Sequence, residues 1–252
     1  MNTIKLNFNS IGNNQNPPII FIHPLGADHS IFDDVVHLIL DTFYCISVDI
    51  TGHGRSPVPD PPYSIEGMAK DISSTFEFNE PVNVMGVSIG GMIAMSLVIN
   101  KLIPINKLIL SDTGHKIGNY DLWQERIDLV KSGGLEKIVD ITIERWFPKE
   151  FQIGSPEIIN KCRALQLKNS EKGYIGACQA IQKADFTDKL SKINCETLVL
   201  NGSKDISTPP KLGKELANLL PNASFQELTG IGHVPPLQEP NLTMKVIKEF
   251  LI

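Results

Sequence analysis

The chain has 252 residues, 42% of them hydrophobic and 20% charged, with a formal net charge of -5. That length suits one large α/β domain or a core with a sizeable insertion, and the composition excludes a disordered chain. The mildly acidic balance gives no footing to nucleic acid or an anionic membrane as partner.

Cys45, Cys162, Cys178 and Cys195 are scattered, with no CxxC pair and no Cys/His metal spacing. They read as reduced, small buried side chains, and the sequence asks for no metal and no cofactor. The opening stretch "MNTIKLNFNSIGNN" lacks the basic head and apolar core of a secretory leader. No apolar run is long enough to span a bilayer. The expectation is a soluble, cytoplasmic protein, in which the sequons at Asn201 and Asn241 carry no weight.

In chain order, "PPIIFIH" (Pro17–His23), "YCISVD" (Tyr44–Asp49), "VNVMGV" (Val82–Val87), "KLILSD" (Lys107–Asp112), "ETLVLNG" (Glu196–Gly202) and the shorter "SFQEL" (Ser224–Leu228) look like strands. Most are continuously apolar, as strands buried on both faces are. Helical patterns fall between most of them. One runs over Ile31–Leu40. Another runs over Tyr63–Phe78, with Ser64 as N-cap and Ile65, Met68, Ala69 and Ile72 on one face. Such alternation predicts a mostly parallel sheet with helices on both faces.

From about Thr113 to Leu190 the rhythm breaks. There are helical patterns but no strand, with breaks at Ser132–Gly134 and Phe147–Pro156. Ser155-Pro156-Glu157 reads as a helix start with a capping hydroxyl. Leu135, Ile138, Val139, Thr142, Ile143 and Trp146 form a stripe at helical spacing. The expected organisation is a core of residues 1–112 and 191–252, with residues 113–190 as a helical cap inserted between two strands.

At the hand-over from Val82–Val87 to the next helix stands Gly86-Val87-Ser88-Ile89-Gly90. A Gly-x-Ser-x-Gly turn between strand and helix lifts the serine hydroxyl above the carboxyl edge of the sheet, where ligands bind. The helix start below it offers unpaired N–H groups to developing negative charge, so the N–H of Ile89 is a natural oxyanion donor. A neutral serine needs a base, and the base needs an acid to orient it. "NGSKDISTPP" supplies Asp205, with two prolines that delay the next helix, and "GIGHVPPLQEP" supplies His233 in a Gly/Pro-rich loop. Asp112, at the end of Lys107–Asp112, could also reach that loop; Asp205 better fits the order serine, acid, histidine. His53 reads as part of a glycine-rich surface turn, His29 and His37 as ordinary, and His115 as a residue that could touch the pocket. In "IHPLGAD" Pro24 has no N–H, which makes Leu25 the second oxyanion donor.

With those residues in hand, the chain resembles the α/β-hydrolase superfamily over essentially its full length. Within it, the chain is similar to the 3-oxoadipate enol-lactonases of aromatic-compound catabolism. "HPLGAD", "GHGRSPVPDPPYSIEGMAKDI", "GVSIGGMIAM" and "SKDISTPP" are shared with many cofactor-free α/β-hydrolases, whereas "LWQERI", "ERWF" and "GYIGACQAIQKADF" look like the cap of the lactonase group. His23-Pro24 replaces the His-Gly found in much of the superfamily. The resemblance implies the α/β-hydrolase fold with its helical cap, and opening of a small anionic enol-lactone through an acyl-enzyme on Ser88. An anionic substrate calls for a cation, since an unpaired buried carboxylate is costly. The cap offers Arg126, Arg145 and Arg163; Arg126, three positions after Trp123, shares a helical face with it. Trp123, Arg126 and Trp146 are the expected substrate contacts. The rival readings are a general carboxylesterase, a cofactor-free perhydrolase, a C–C bond hydrolase on the same scaffold, or a non-catalytic small-molecule receptor. Oligomeric state is not legible in the sequence.

Overall fold

The computed structural model describes residues 3–252. Met1 and Asn2, the first residues of the stretch read above for a leader, lie outside the described residues. The strands are β1 Phe8–Ile11, β2 Pro18–Ile22, β3 Tyr44–Val48, β4 Val82–Val87, β5 Ile105–Ser111, β6 Glu196–Gly202 and β7 Ala223–Leu228. The helices are α1 Asp33–Val36, α2 Ile65–Thr75, α3 Ile89–Ile99, α4 Tyr120–Gly133, α5 Val139–Trp146, α6 Lys149–Gly154, α7 Pro156–Leu167, α8 Glu171–Lys183, α9 Pro210–Leu219, α10 Pro235–Gln238 and α11 Pro240–Leu251. Among the described residues the strands form one seven-stranded sheet in the order β1-β3-β2-β4-β5-β6-β7. Every pairing is parallel except β1 with β3.

Strand pleat sorts the core into two layers, because neighbouring side chains point to opposite faces. Ile20, Ile22, Val84, Leu108 and Leu110 pack on one face with Ile65 and Ile72 of α2 and the buried α3. Ile19, Phe21, Met85, Val87 and Ile109 pack on the other with Val35 of α1 and Ile247 of α11. Both faces are therefore covered, which is why these strands read as unbroken apolar runs. No helix is long and apolar enough to cross a membrane among the described residues.

Several local expectations shift. The Ser64 hydroxyl does cap α2, accepting the Gly67 N–H at 3.1 Å. Ile31–Leu40 is instead a 3-10 turn at His29–Phe32 followed by the single turn of α1. β1 has no counterpart in the sequence reading, because it is a short edge strand with largely exposed side chains and no apolar run. Ser155 sits at the N-cap of α7, but its hydroxyl accepts no backbone N–H there, leaving Pro156 as the start signal. As expected, α9 starts no earlier than the two prolines: Pro209 is its N-cap and Pro210 its first residue, where proline's fixed φ suits a first helical turn. The separator Phe147–Pro156 holds α6, which buries no residue and so carries no periodic signal. Between β5 and β6 the chain is helical throughout, from α4 to α8 and a last 3-10 segment at Thr187–Lys192.

Candidate active site

Parallel register brings five loops to one edge of the sheet. Ile22 pairs with Gly86, Val87 with Ser111, Ser111 with Leu200, and Gly202 with Leu228. The loops carrying Leu25, Ser88, Asp112, Asp205 and His233 all leave within a few residues of those positions. They end at a cavity of about 270 Å³ that Pro24, Leu25, Ser88, Thr208 and His233 line from the sheet side.

The two glycines around Ser88 answer to close packing. A Cβ on Gly86 would run into the Gly90 carbonyl, and one on Gly90 into the Ile22 carbonyl. Ser88 itself has φ 56 and ψ -119, a left-handed conformation costly for a residue with a side chain. Its surroundings overdetermine it. The Ser88 N–H donates to Ser111 O at 3.0 Å. Its carbonyl accepts from Gly91 N–H at 2.9 Å and from the Thr113 hydroxyl at 2.7 Å. The strain thus holds the hydroxyl at the head of α3.

His233 is tied at both ends. Its N–H donates to Trp146 O at 2.8 Å, which fastens the histidine loop to the end of α5. Its ring Nδ1 lies 2.8 Å from Asp205 Oδ2 and 3.3 Å from Thr208 Oγ1. Nε2 is the ring nitrogen left for a reacting group. Ser88 and His233 share the cavity, and no hydrogen bond joins them among the described residues. Asp205 also accepts from Ser207 N–H at 2.7 Å, Thr208 N–H at 3.1 Å and the Thr208 hydroxyl at 2.6 Å. Burial works against its charge, but His233 and these donors outweigh burial and hold its carboxyl below the ordinary range.

Asp112 is in a different state. Fully buried, it accepts from Gly202 N–H at 2.8 Å and from the Ser111 hydroxyl at 2.6 Å, and no cation pairs with it among the described residues. Burial, and then the neighbouring charge of Asp205, push its carboxyl well above the ordinary range. Of the two acids weighed from sequence, Asp205 is the one hydrogen-bonded to His233.

The Pro24–Ala27 segment is a tight turn, closed by Ala27 N–H to Pro24 O at 3.2 Å, with Gly26 at φ +80. His23 holds the same carbonyl through Nδ1 at 2.8 Å, while its Nε2 accepts the Ile50 N–H at 3.0 Å. That pair of bonds requires the proton on Nδ1, and burial lowers the ring's pKa to keep it neutral. Because a trans peptide is planar, fixing Pro24 O aims the Leu25 N–H the opposite way. Neither Leu25 N–H nor Ile89 N–H has an acceptor among the described residues.

Helical residues complete the cavity: Trp123, Arg126 and Leu129 of α4, Ile138, and Thr142, Arg145 and Trp146 of α5. Trp123 also donates its indole N–H to Ile117 O at 2.6 Å, and the Trp146 ring lies 6.5 Å from the His233 ring, tilted by 40°. Arg126 Nε donates to the Tyr174 hydroxyl at 2.7 Å and its Nη2 to Thr142 Oγ1. Arg145 reaches only the Ile206 carbonyl, at 3.4 Å. Neither has a carboxylate partner among the described residues, whereas Arg163 is taken up by Asp140 away from the cavity. Burial, and then the charge of Arg126, lower the pKa of Arg145, as expected of two like charges sharing a site.

Other histidines fall elsewhere. His53 is 1% exposed and stacks near His23 and Tyr174, not on the surface, and burial lowers its pKa to about 3. His115 is buried beside Glu215 and does not line the cavity. His29 meets Asp49 at 2.8 Å. Asp28, His29 and Asp49 are close enough to hold a cation, as are Asp112, Asp205 and His233. In both groups the lone pairs are already engaged by protein donors, among them Arg55 N–H on Asp49 and Thr208 on Asp205. Thr208 is a site residue that sequence reasoning missed, whereas Arg145 was among the three arginines it offered; Thr208 follows Asp205 by three positions, the spacing at which a hydroxyl can return to an acid's loop.

Residues 19–244 match the profile described as Alpha/beta hydrolase family. The 3-oxoadipate enol-lactonase 2 of Acinetobacter baylyi is 29% identical over 94% of this chain and 89% of its own length. The crystal structure of the enol-lactonase from Burkholderia xenovorans LB400 superposes with a TM-score of 0.93 at 26% identity, over 98% of this chain and 96% of that one. A thermophilic esterase from Thermogutta terrifontis, described with malate bound, superposes with a TM-score of 0.89 at 26% identity, over 98% and 92% of the two chains.

Proposed function

The chain belongs to the alpha/beta hydrolase family, and on that premise we propose that it is a serine hydrolase that opens a small anionic enol-lactone, the 3-oxoadipate enol-lactone in the first instance. In this reading residues 113–190 are a cap over a core of 1–112 and 191–252. One observation carries the substrate class: Arg126, which forms no salt bridge among the described residues, lines the same cavity as Ser88 and His233, with the exposed Glu125 as the acid on that lining. A half-buried cation held only by neutral hydroxyls has charge to spare for an incoming anion. The likeness to two enol-lactonases, and to an esterase described with a dicarboxylate bound, supports the same class.

The reaction runs as follows. Ser88 Oγ attacks the lactone carbonyl while His233 Nε2 takes its proton, and Asp205 stabilises the resulting imidazolium through Nδ1. The carbonyl oxygen gains a negative charge against the N–H groups of Leu25 and Ile89, each such donor contributing on the order of 3 kcal/mol to the transition state. Collapse breaks the ring C–O bond, and His233 gives the proton to the departing enolate, which ketonises to a 3-oxo acid still tethered to Ser88. Water, deprotonated by His233, then releases the second carboxylate. Arg126 meets the substrate carboxylate, with Arg145 close by and Trp123 and Trp146 as apolar walls. No cofactor takes part.

The test compares kcat/KM for the enol-lactone with that for a neutral aryl ester of similar size. A preference for the lactone that collapses in Arg126→Ala is expected. A preference for the neutral ester, unchanged in that variant, returns the protein to a general carboxylesterase. Failure of a fluorophosphonate probe to label Ser88 would point to the small-molecule receptor instead.

A further inference from the structure

Arg126 is held by two hydroxyls, and one of them belongs to a residue that also touches the oxyanion turn. Thr142 donates its own proton to Ile138 O at 2.9 Å, so its oxygen can only accept from the guanidinium. Tyr174 of α8 accepts from Arg126 Nε at 2.7 Å, and the guanidinium carbon lies 5.7 Å from the centre of its ring. Tyr174 is 1% exposed, so this hydroxyl cannot trade its partner for bulk water. The edge of the same ring backs Gly26: a Cβ placed there would lie 3.2 Å from Tyr174 Cε2. From the same side Asn169 Nδ2 donates to Gly26 O at 2.9 Å. The turn that aims the Leu25 N–H is thus held by His23 on the sheet side and by Tyr174 and Asn169 on the helical side.

We propose that Tyr174 is a positioning residue that couples carboxylate recognition to the oxyanion turn, its hydroxyl fixing Arg126 and its ring edge supporting Gly26. The proposal rests on the reading that Arg126 meets the substrate carboxylate. Its physical basis is rigidity. A tyrosine ring has two rotatable bonds, and this one is packed at both ends, so Arg126 and Gly26 cannot shift independently. The two ends do different work. The hydroxyl orients a charge that touches substrate in the ground state and the transition state alike, and so governs KM for anions. The ring supports a donor whose bond strengthens only as the oxyanion forms, and so governs kcat for every substrate.

Two variants separate the ends, each assayed on the anionic enol-lactone and on a neutral aryl ester. Tyr174→Phe keeps the ring. It should raise KM for the lactone about tenfold, the effect of one lost hydrogen bond to a charged group, and leave kcat for both substrates, and KM for the ester, within about twofold. Tyr174→Leu, or Tyr174→Met where leucine leaves the protein unfolded, removes the ring edge and should lower kcat for both substrates about tenfold. The coupling is overturned if Tyr174→Phe changes KM for lactone and ester alike or for neither, or if the ring-removing variant leaves kcat for the ester intact. Arg126→Ala is the control. If it raises KM for the lactone while Tyr174→Phe does not, only the coupling is lost. If it leaves that KM unchanged, the carboxylate assignment of Arg126 falls first.

Discussion

The sheet side of the cavity and its helical side are built on different principles. On the sheet side the working parts are main chain: the left-handed Ser88, the turn at Gly26, the amides of Leu25 and Ile89. Around them almost every polar group is already spoken for. Asp205 takes hydrogen bonds from Ser207, Thr208 and His233, and the Ser88 carbonyl takes them from the helix start and Thr113. On the helical side the working parts are side chains, and Arg126 and Arg145 point charge at the cavity with only hydroxyls and a carbonyl for partners. Saturated geometry suits a group that must act identically on every substrate. An unspent charge suits one that must recognise a particular anion.

Substitutions can break this division or sharpen it. The largest effect is expected from Ser88→Ala, which removes the proposed nucleophile and should lower kcat at least about ten-thousandfold for lactone and ester alike; near-normal hydrolysis would show that the sheet side does not carry the chemistry. Asp205→Asn should follow, with kcat down about a thousandfold on both substrates, because an amide can favour the wrong histidine tautomer. Single-turnover rates that barely change would move the acid's role to Asp112. On the helical side Arg126→Ala should cost about ten- to a hundredfold in kcat/KM for the lactone and almost nothing for a neutral ester, given what a hydrogen-bonded charge contributes. Equal losses on the two substrates would erase the contrast between the sides.

The smallest effect concerns stability rather than rate. Burial, and then Asp205, raise the Asp112 pKa in the folded protein. A raised folded-state pKa means that the contribution of Asp112 is complete below the ordinary carboxyl value of about 3.9 and is lost as pH climbs toward the raised value. Asp112→Asn has no proton to lose, so its Tm relative to the parent should rise as the pH climbs above about 4. A difference in Tm that stays flat as the pH climbs would show that Asp112 titrates alike in the folded and unfolded chains.

Much of the fold is legible along the chain because burial on both sides of a sheet leaves a local trace. The runs at Ile19–Ile22, Val82–Val87 and Thr197–Gly202 are buried throughout and mostly apolar, and the glycines flanking Ser88 mark a hand-over where backbone meets backbone. The same local trace singles out Ser88 and Asp205, each in a loop next to such a run, whereas His233 is marked only by its Gly/Pro-rich loop after the mostly exposed β7. β1 and α6 leave no trace, because an exposed edge strand and a helix that buries nothing need no apolar period. His53 misleads for the opposite reason: its glycine-rich loop looks like surface until Tyr174, more than a hundred positions away, covers it. Which acid binds His233, which arginines stay uncompensated and what holds them are likewise decided only in three dimensions. The pKa values of Asp112 and Asp205 are pushed in opposite directions because one is sealed away without a cation and the other is ringed by donors, and Arg163 differs from Arg126 because Asp140 happens to reach it. Hydrogen bonds and desolvation depend on neighbours within a few ångströms, and the chain alone does not say which distant residues those neighbours are.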